Sequence, residues 1–208
     1  MLSRRRVWLC NLSLIFLFPM FGKCEQIQTL EELQATLSKQ KVIRGSFRQI
    51  RTLGIFSQPL VSQGSFLLAK DYGLQWTQDK PFSLLLVLGS DWLSQQFTDQ
   101  PAKVIKTEEN PMMFHFCQLF LSIFRGEIKG LDEQFEIKFV PDETWSLELK
   151  PKKEPLSTAF NTINLSGGSY IDYIRLVETS GDVSEIHFTD QQNEPAILTE
   201  TERRAFDL

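Results

Sequence analysis

Short runs of alternating apolar and polar residues, separated by turn residues, fill most of the chain after Val42. Alternation with a period of two is typical of strands that bury one face. The runs predict strands at 43–52, 61–70, 72–78, 82–89, 91–98 and 101–107, and then at 135–139, 145–149, 159–165, 169–178 and 183–190. Because strands with such short connections pair as hairpins, the series predicts a large antiparallel sheet.

Three other segments carry helix signals. A capping box at Thr29 precedes leucines at helical spacing, which predicts a helix over about 29–39. A short helical piece is predicted at about 131–135, and a second capping box at 199–202 predicts a short helix or turn near the end. No repeat, low-complexity tract or Pro/Ser-rich linker divides residues 25–208. The fold class is therefore predicted to be α+β, with one domain over this range.

The first 24 residues have the composition of a secretory signal peptide. Three arginines at 4–6 precede an apolar run over 7–21, and a cut after Cys24 is expected. The apolar run is shorter than the ~20 residues needed to span a bilayer, although an uncleaved anchor remains an alternative. Lys23 fits poorly with a lipoprotein cleavage box, which favours a soluble exported protein over a lipid-anchored one. The segment therefore predicts an exported protein.

Charge and cysteine content exclude some functions. Removal of residues 1–24 leaves 18 basic and 26 acidic residues, a net charge of −8. Nucleic acid is therefore not predicted as a partner, because phosphate binding requires a basic surface. Cys117 is the only cysteine left, so the fold must be stabilised by packing rather than by a disulfide. With no charged neighbours, Cys117 is interpreted as a small buried apolar residue.

The segment at 110–124 is apolar on more sides than one sheet can cover. It starts with Asn110-Pro111, an N-cap followed by proline at the first helical position, and it contains four Phe and no charge. On a helix its apolar residues cover roughly 220°, whereas an ordinary amphipathic helix needs a stripe of about 100°. At about 22 Å it is too short for a ~30 Å membrane core. Either other chain segments bury this helix, or it covers a cavity that holds an apolar ligand.

Several short motifs, in this order, resemble the periplasmic outer-membrane lipoprotein carrier (LolA) family. The resemblance covers nearly the whole chain after the signal peptide. Each motif is weak by itself, and their order and spacing make the match specific. The motifs are Gly45-Ser46-Phe47-Arg48-Gln49, Gly64-Ser65-Phe66, Leu74-Gln75-Trp76 with Lys80-Pro81, Gly89-Ser90-Asp91-Trp92, the run from Trp145 to Pro151, Gly167-Gly168 and Gly181-Asp182.

The resemblance implies an open, incomplete antiparallel β-barrel whose hydrophobic cavity is covered by helices. It further implies a monomeric carrier, without cofactor or metal, that takes acyl chains of a lipoprotein or another lipid from an inner-membrane donor to an outer-membrane acceptor. The segment at 110–124 would be the lid, with Met112, Met113, Phe116 and Phe120 as its ligand contacts. The candidate cavity walls are Phe47, Phe66, Leu68, Trp76, Leu85, Val87 and Trp92, although the sequence leaves open which strand face points inward.

The chain departs from the family at one motif. The family places Lys-Arg-Pro before the strand that matches 74–76, and its Arg helps to hold the lid closed. Here Lys70-Asp71-Tyr72 stands instead, so Lys70 is a candidate latch. The Lys ammonium is a compact point charge, whereas the Arg guanidinium is planar and presents several donors in a fixed geometry. A latch at Lys70 therefore does not follow directly from the resemblance. The departure indicates a divergent family member whose cargo need not be a lipoprotein.

Three alternatives stay open. A lipid hydrolase is disfavoured, because the chain offers only His115 and His187, no G-x-S-x-G motif and no zinc-ligand spacing. Adjacent carboxylates such as Glu108-Glu109 are more typical of a solvated face than of an acid/base pair. A second alternative is an envelope binding or sensor module that recognises a protein partner. A third is a membrane-anchored acceptor.

Overall fold

The computed structural model describes residues 26–128 and 130–207, so the predicted signal peptide lies outside the described residues. Its helices are α1 (Leu30–Ser38), α2 (Pro111–Phe124), α3 (Leu131–Gln134), α4 (Leu156–Ala159) and α5 (Glu200–Arg204). A 3-10 turn at Thr107–Glu109 precedes α2. Thr29 caps α1 as predicted, because its side chain accepts a hydrogen bond from the Glu32 amide, and Thr199 and Glu202 form a complete capping box at α5.

Eleven strands form one antiparallel sheet. Their order across the sheet is β6-β5-β4-β3-β2-β1-β11-β10-β9-β8-β7. Among the described residues β6 and β7 are edges without a partner strand, so the curved sheet does not close. The strands are β1 (Val42–Thr52), β2 (Leu60–Ala69), β3 (Gly73–Lys80), β4 (Leu84–Leu88), β5 (Trp92–Phe97), β6 (Lys103–Lys106), β7 (Phe135–Val140), β8 (Trp145–Pro151), β9 (Phe160–Gly167), β10 (Ile171–Glu178) and β11 (Val183–Gln192).

This architecture confirms the predicted α+β class and the open antiparallel barrel. Each predicted strand corresponds to an observed one, and α2 begins at the predicted cap. The pieces that the sequence did not predict are α4 and the 3-10 turn. Both are about one turn long, too short to show a helical period in the sequence.

The sheet has an N-terminal half, β1–β6, and a C-terminal half, β7–β11, which meet where β1 pairs with β11. The inner face of the C-terminal half is filled by apolar side chains. Trp145 is 1% exposed, and its indole N–H donates a hydrogen bond to the Gly168 carbonyl at 2.8 Å. Leu149 and Ile174 are fully buried beside it, and Leu33 and Leu37 of α1 belong to the same cluster. This half therefore has a densely packed core.

The N-terminal half is covered on its outer face by the end of the chain. Phe206 packs with Val42, Leu67, Ala69 and Val87 in a second cluster on that face. Two members of this cluster lie in β4: Val87, which pairs with Gln75 of β3, and Leu85, which pairs with Thr77. They point away from α2. The outer face of this half is thus a small core of its own.

An ion pair holds the C-terminal segment in place. The Arg44 guanidinium donates two hydrogen bonds to the Glu202 carboxylate, at 2.6 Å and 2.8 Å. These bonds lower the pKa of Glu202 to about 2 and raise that of Arg44. Arg44 also donates to the carbonyls of Pro195 and Ile197. The segment is therefore fixed both by apolar contact and by charge.

No helix among the described residues is long and apolar enough to cross a membrane.

Candidate functional site

The helix α2 lies over the inner face of the sheet, and both of its ends are capped. At its start, the Asn110 side chain accepts a hydrogen bond from the Met113 amide at 3.1 Å. At its end, the Gly126 and Glu127 amides donate to the carbonyls of Ile123 and Ser122, the two bonds of a Schellman motif. Gly126 has φ +72°, which is why glycine is favoured at this position.

The C-terminal end of α2 is packed tightly against α1. A Cβ atom on Gly126 would come within 2.7 Å of the Gln34 carbonyl oxygen and of the Ser38 nitrogen. Only glycine permits this approach of the two backbones. The end of α2 that follows Phe124 is therefore the fixed end.

One side-chain contact ties the middle of α2 to the sheet. The Gln118 amide nitrogen donates a hydrogen bond to the Ser90 carbonyl at 2.7 Å, with a longer contact of 3.4 Å to Gly89. Both carbonyls belong to the turn between β4 and β5. This contact is made by only one side chain, so it is a weak tether compared with the α1 end.

The inward side of α2 is aromatic. The Phe116 ring stacks on Phe160 of β9, with centroids 4.7 Å apart, and lies equally close to Phe120. The Phe124 ring meets Phe188 of β11 edge to face at 5.7 Å. Aromatic contacts of this kind are favourable and use no hydrogen-bond donor or acceptor. The inward side can therefore separate from the sheet without leaving buried polar groups unpaired.

A partly enclosed cavity of about 100 Å³ lies between α2 and the sheet. Every residue that lines it is apolar, and none of them can titrate. Four come from β2 and β3, two from α2 and two from β11. They are Phe66, Leu68, Leu74, Trp76, Phe120, Phe124, Ile186 and Phe188.

The cavity is small compared with an occupied ligand site. Pockets that hold drug-sized ligands have volumes of about 300–1,000 Å³. A cavity of about 100 Å³ therefore cannot hold a whole acyl chain. We call this arrangement, in which α2 is packed against the sheet, the closed state.

Four predicted wall residues lie on the inner face beneath α2. Phe66, Leu68 and Trp76 line the cavity. Phe47 lies directly behind it, with its ring stacked on Trp76 at a centroid distance of 3.6 Å. The structure therefore brings these four together at one place, and their role in ligand binding remains a prediction.

The structure corrects the position of the other three. Leu85, Val87 and Trp92 belong to the outer cluster with Phe206, so they do not line the cavity. The pairing register gives the reason, because Val87 lies opposite Gln75 and Leu85 lies opposite Thr77. The alternate residues of β4, including Leu88 opposite Leu74, share the inner face instead. In a strand as uniformly apolar as β4, the sequence does not show which face points inward.

The predicted lid contacts also differ in position. Phe120 lines the cavity, whereas Phe116 and Met113 pack against the inner core beside it. Met112 lies in α2, but its side chain is not among the described parts of the chain. Four lining residues were not predicted from the sequence: Leu74, Phe124, Ile186 and Phe188. Ile186 and Phe188 show the alternation expected of a strand. Their position under α2, however, depends on the pairing of β1 with β11, and no local sequence pattern predicts that pairing.

Lys70, the candidate latch, directly follows β2 and is half-buried. Its backbone amide donates to the Lys41 carbonyl at 2.9 Å. Across residues 26–128 and 130–207, no hydrogen bond or ion pair joins the Lys70 ammonium to α2. In this closed state, the tether between α2 and the sheet is Gln118 rather than Lys70.

Reactive groups lie away from the cavity. Burial raises the pKa of the Cys117 thiol, which keeps it protonated. His115 is exposed on α2, and His187 lies on the outer face of β11, where its ring meets Tyr173 at 4.8 Å. Within the described part of the chain, no three His, Cys, Asp or Glu side chains are grouped as metal ligands would be. The chemistry available at the cavity itself is apolar contact.

Comparisons with known proteins identify relatives. The family model described as outer membrane lipoprotein carrier protein LolA matches residues 38–200. No curated protein sequence matches the chain. Among solved structures, a putative outer membrane lipoprotein-sorting protein domain from Vibrio parahaemolyticus is 10% identical with a TM-score of 0.47, and the match covers 85% of this chain and 95% of that one.

Two other solved structures are similarly distant. A LolA superfamily protein from Nitrosomonas europaea is 9% identical with a TM-score of 0.46, covering 88% of this chain and 99% of that one. A chain of the Pseudomonas aeruginosa MucA/MucB complex is 12% identical with a TM-score of 0.39, covering 83% of this chain and 58% of that one. At these identities and TM-scores, the solved structures add no functional information to the family match.

Proposed function

Since the chain belongs to the outer membrane lipoprotein carrier protein LolA family, we propose that it is a periplasmic carrier of acyl chains. The cargo is the acyl part of a lipoprotein or of another lipid, which enters the cavity beneath α2. It is received from an inner-membrane donor and passed to an outer-membrane acceptor. The observation that supports this proposal is the partly enclosed, wholly apolar cavity between α2 and the inner face of β2 and β3.

Burial of an acyl chain supplies a large driving force. A chain of about 15 methylenes gains about 12 kcal/mol at about 0.8 kcal/mol each, before ordering costs. A carrier that kept this whole sum would release its cargo too slowly for transport. The closed α2 lowers the net affinity, because the ligand has to displace Phe120 and Phe124 from the sheet before it can bind.

The contacts of α2 suggest how the site opens. Its end at Gly126 is held by backbone packing on α1, whereas Gln118 and the aromatic side chains form the other contacts with the sheet. If α2 pivots about its C-terminal end, which packs on α1, the Gln118 hydrogen bond breaks and Phe120 moves away from Trp76. The cavity would then extend along the inner face of the N-terminal half. Lys70 is positioned to act as a latch only if it moves toward α2 during this cycle.

The remaining parts of the proposal follow from the same picture. The exported form is a single carrier domain over residues 25–208, working as a monomer without metal or cofactor. Its action is binding and release rather than catalysis. The donor and acceptor are transient partners, each of which must bias α2 toward its open or closed position.

The first test is native mass spectrometry of the protein purified from the periplasm, followed by lipid extraction. The proposal predicts a bound species that carries one or more acyl chains, and its fragmentation would identify the cargo. A protein that stays free of ligand even when incubated with a fluorescent long-chain fatty acid would contradict it.

A matched pair of substitutions then places the ligand. Leu74→Trp adds bulk to the inner wall of the cavity and is expected to lower fatty-acid affinity at least tenfold while the protein stays folded. Leu85→Trp makes the same change on the outer face and is expected to leave the affinity unchanged. Equal losses in both variants would argue against a site beneath α2. Melting curves of both proteins control for unfolding.

A further inference from the structure

Two strands of the cavity wall change from apolar to polar just past the cavity. On β3 the inner-facing residue that follows Trp76 is Gln78, and on β1 the inner-facing residue that follows Phe47 is Gln49. Alternate residues of a strand share a face, so both polar side chains lie on the same face of the sheet as the cavity. Phe47 and Trp76 are therefore the last apolar residues on the inner face of these two strands.

The other two wall strands change in the same way. On β2 the inner-facing residues run from Phe66 through Gly64 to Ser62, and on β11 they run from Ile186 to Ser184. All four strands thus place a polar side chain beyond the cavity. We call this set the polar layer, and it consists of Gln49, Ser62, Gln78 and Ser184.

The polar layer is buried and hydrogen-bonded. The Ser62 hydroxyl donates to the Gln49 side-chain oxygen at 3.4 Å, and the Gln78 amide nitrogen donates to the Phe82 carbonyl at 3.0 Å. Gln78 is 9% exposed and Ser184 is 4% exposed. An acyl chain that entered this layer would separate buried polar groups from their partners, and each unpaired group costs more than the burial of one methylene gains. The apolar interior between these strands therefore ends at the polar layer.

Two stacked rings lie between the cavity and the polar layer. Phe47 is 2% exposed and pairs with Gly64 of β2, which has no side chain. The Phe47 ring therefore reaches across β2 to Trp76 of β3, where the two ring centroids are 3.6 Å apart. Phe188 of β11 meets the Trp76 ring edge to face at 6.2 Å. We call Phe47 and Trp76 the cavity floor.

We propose that the cavity floor sets the longest acyl chain that the protein can bury, and that Phe47 decides this limit. The inference rests on the proposed carrier function and adds the length of the cargo chain to it. The chain enters methyl end first, because every residue that lines the cavity is apolar and would leave a polar head group unpaired. Its methyl end then stops at Phe47 and Trp76.

The two ends of the site differ in how they respond to ligand. At one end α2 can move away from the sheet, which makes room for a chain. At the other end the floor belongs to strands that are paired on both sides, β1 with β2 and β11, and β3 with β2 and β4. Movement of α2 therefore leaves the floor in place. Methylenes in excess of the limit stay outside the cavity and add nothing to the affinity.

The test is displacement of a fluorescent fatty acid from the mature protein by saturated fatty acids of increasing length. The affinity of the natural protein is expected to rise about fourfold with each added methylene until the methyl end reaches the floor, and then to stop rising. Phe47→Leu keeps the floor apolar but makes it smaller. This variant is expected to move the break to longer chains by about one or two methylenes, since the removed ring leaves space that the chain can fill.

A second variant and a matched control complete the set. Ile186→Phe adds bulk to the cavity beside the polar layer, and it is expected to move the break to shorter chains. This variant keeps the test available if Phe47→Leu does not fold. Phe135→Leu makes the same substitution at a side chain that is 0% exposed in the filled C-terminal half, and it is expected to leave the break unchanged. Melting curves identify the variants that are folded.

Each outcome decides the proposal. Shifts of the break in opposite directions in Phe47→Leu and Ile186→Phe support it. A break at the same chain length in both variants would overturn it. An affinity that rises without a break would also overturn it, and would indicate that the chain continues along the half-buried Leu86 and Leu84 of β4. If the natural protein binds no fatty acid of any length, the carrier function fails together with this inference, whereas binding without a break contradicts this inference alone.

Discussion

The two halves of the sheet differ in how their two faces are buried. In the C-terminal half the inner face is filled, with Trp145 and Ile174 almost inaccessible, while polar side chains such as Tyr173 and Glu185 hydrogen-bond on the outer face. In the N-terminal half the outer face carries a core made with Phe206. Its inner face also buries side chains such as Phe47 and Leu68, but it leaves a cavity beneath α2.

This difference shows how one continuous sheet can be both stable and partly empty. An unfilled inner face loses packing contacts, which costs free energy of unfolding. The outer cluster and the Arg44–Glu202 ion pair stabilise the same strands from behind. The strands that form the cavity wall therefore need not be held in place by the contents of the cavity.

Replacing one tryptophan in each half tests this difference between the halves with the largest expected effect. Trp145→Ala removes a side chain that is 1% exposed and hydrogen-bonded, so we expect it to lower the free energy of unfolding by about 3–5 kcal/mol. Trp76→Ala removes a half-buried side chain beside an existing cavity, and we expect about 1–2 kcal/mol. Urea titrations of both proteins give the two values.

Fatty-acid affinity gives the second half of that test. Trp76→Ala is expected to change the affinity, since the side chain lines the cavity, whereas Trp145→Ala is expected to leave the affinity of the folded fraction unaltered. If Trp76→Ala proved the more destabilising of the two, the N-terminal half would be an ordinary filled core.

The outer cluster can be weakened without touching the cavity. Phe206→Ala removes a side chain that is 8% exposed near the end of the chain, and we expect a loss of about 2 kcal/mol. The fatty-acid affinity should stay the same, because the lost contacts lie on the opposite face. Thermal unfolding monitored by circular dichroism measures the first effect. A large change in affinity would show that the two faces are coupled.

The ion pair gives a pH-dependent contribution of smaller size. Hydrogen bonds from Arg44 hold the pKa of Glu202 at about 2, below its ordinary value of 4.5. A lowered folded-state pKa contributes stability above the unfolded-state pKa, and that stability is lost as pH falls from about 4.5 toward 2. Because the pair is partly solvated, we expect Glu202→Gln to cost only about 1 kcal/mol at neutral pH.

Urea titrations at several pH values check this prediction. The difference between Glu202→Gln and the natural protein should shrink as pH falls through that window. If the difference in free energy of unfolding did not change with pH, Glu202 would stabilise the fold through the geometry of its hydrogen bonds rather than through its charge. Glu200→Gln, on the exposed side of α5, is the matched control and should have little effect at any pH.

The smallest expected effect concerns the tether of α2. Gln118→Ala removes the hydrogen bond to the Ser90 carbonyl, a contact worth about 1 kcal/mol. Because the closed state competes with ligand, we expect the fatty-acid affinity to rise about threefold. Stopped-flow fluorescence should show the gain mainly in the association rate. His115→Ala, an exposed change on the same helix, should leave both rate and affinity unaltered.

Much of the fold was predictable because its signals are local. Strand alternation, the Asn110-Pro111 start of α2 and the excess apolar arc of that helix are all short-range patterns, and they indicated a sheet with a covering helix. The prediction was wrong about which face of the sheet Leu85, Val87 and Trp92 occupy. Leu84 to Leu88 are all apolar because both faces of β4 are covered, so alternation carries no information there.

The other missed residues depend on long-range pairing. Ile186 and Phe188 reach the cavity because β11 joins β1, across about 140 residues of sequence. No motif within β11 marks it as part of a ligand site. The role of Gln118 could not be predicted, since its acceptor is a backbone carbonyl in a distant turn.

Photo-crosslinking with a diazirine-bearing fatty acid, followed by peptide mapping, tests the central claim most directly. The account predicts that labels concentrate on β2 and β3, on Ile186 and Phe188 of β11 and on the α2 residues Phe120 and Phe124, and that Leu74→Trp abolishes them. Labels spread over β7–β10, or labelling unaffected by Leu74→Trp, would contradict an acyl site beneath α2.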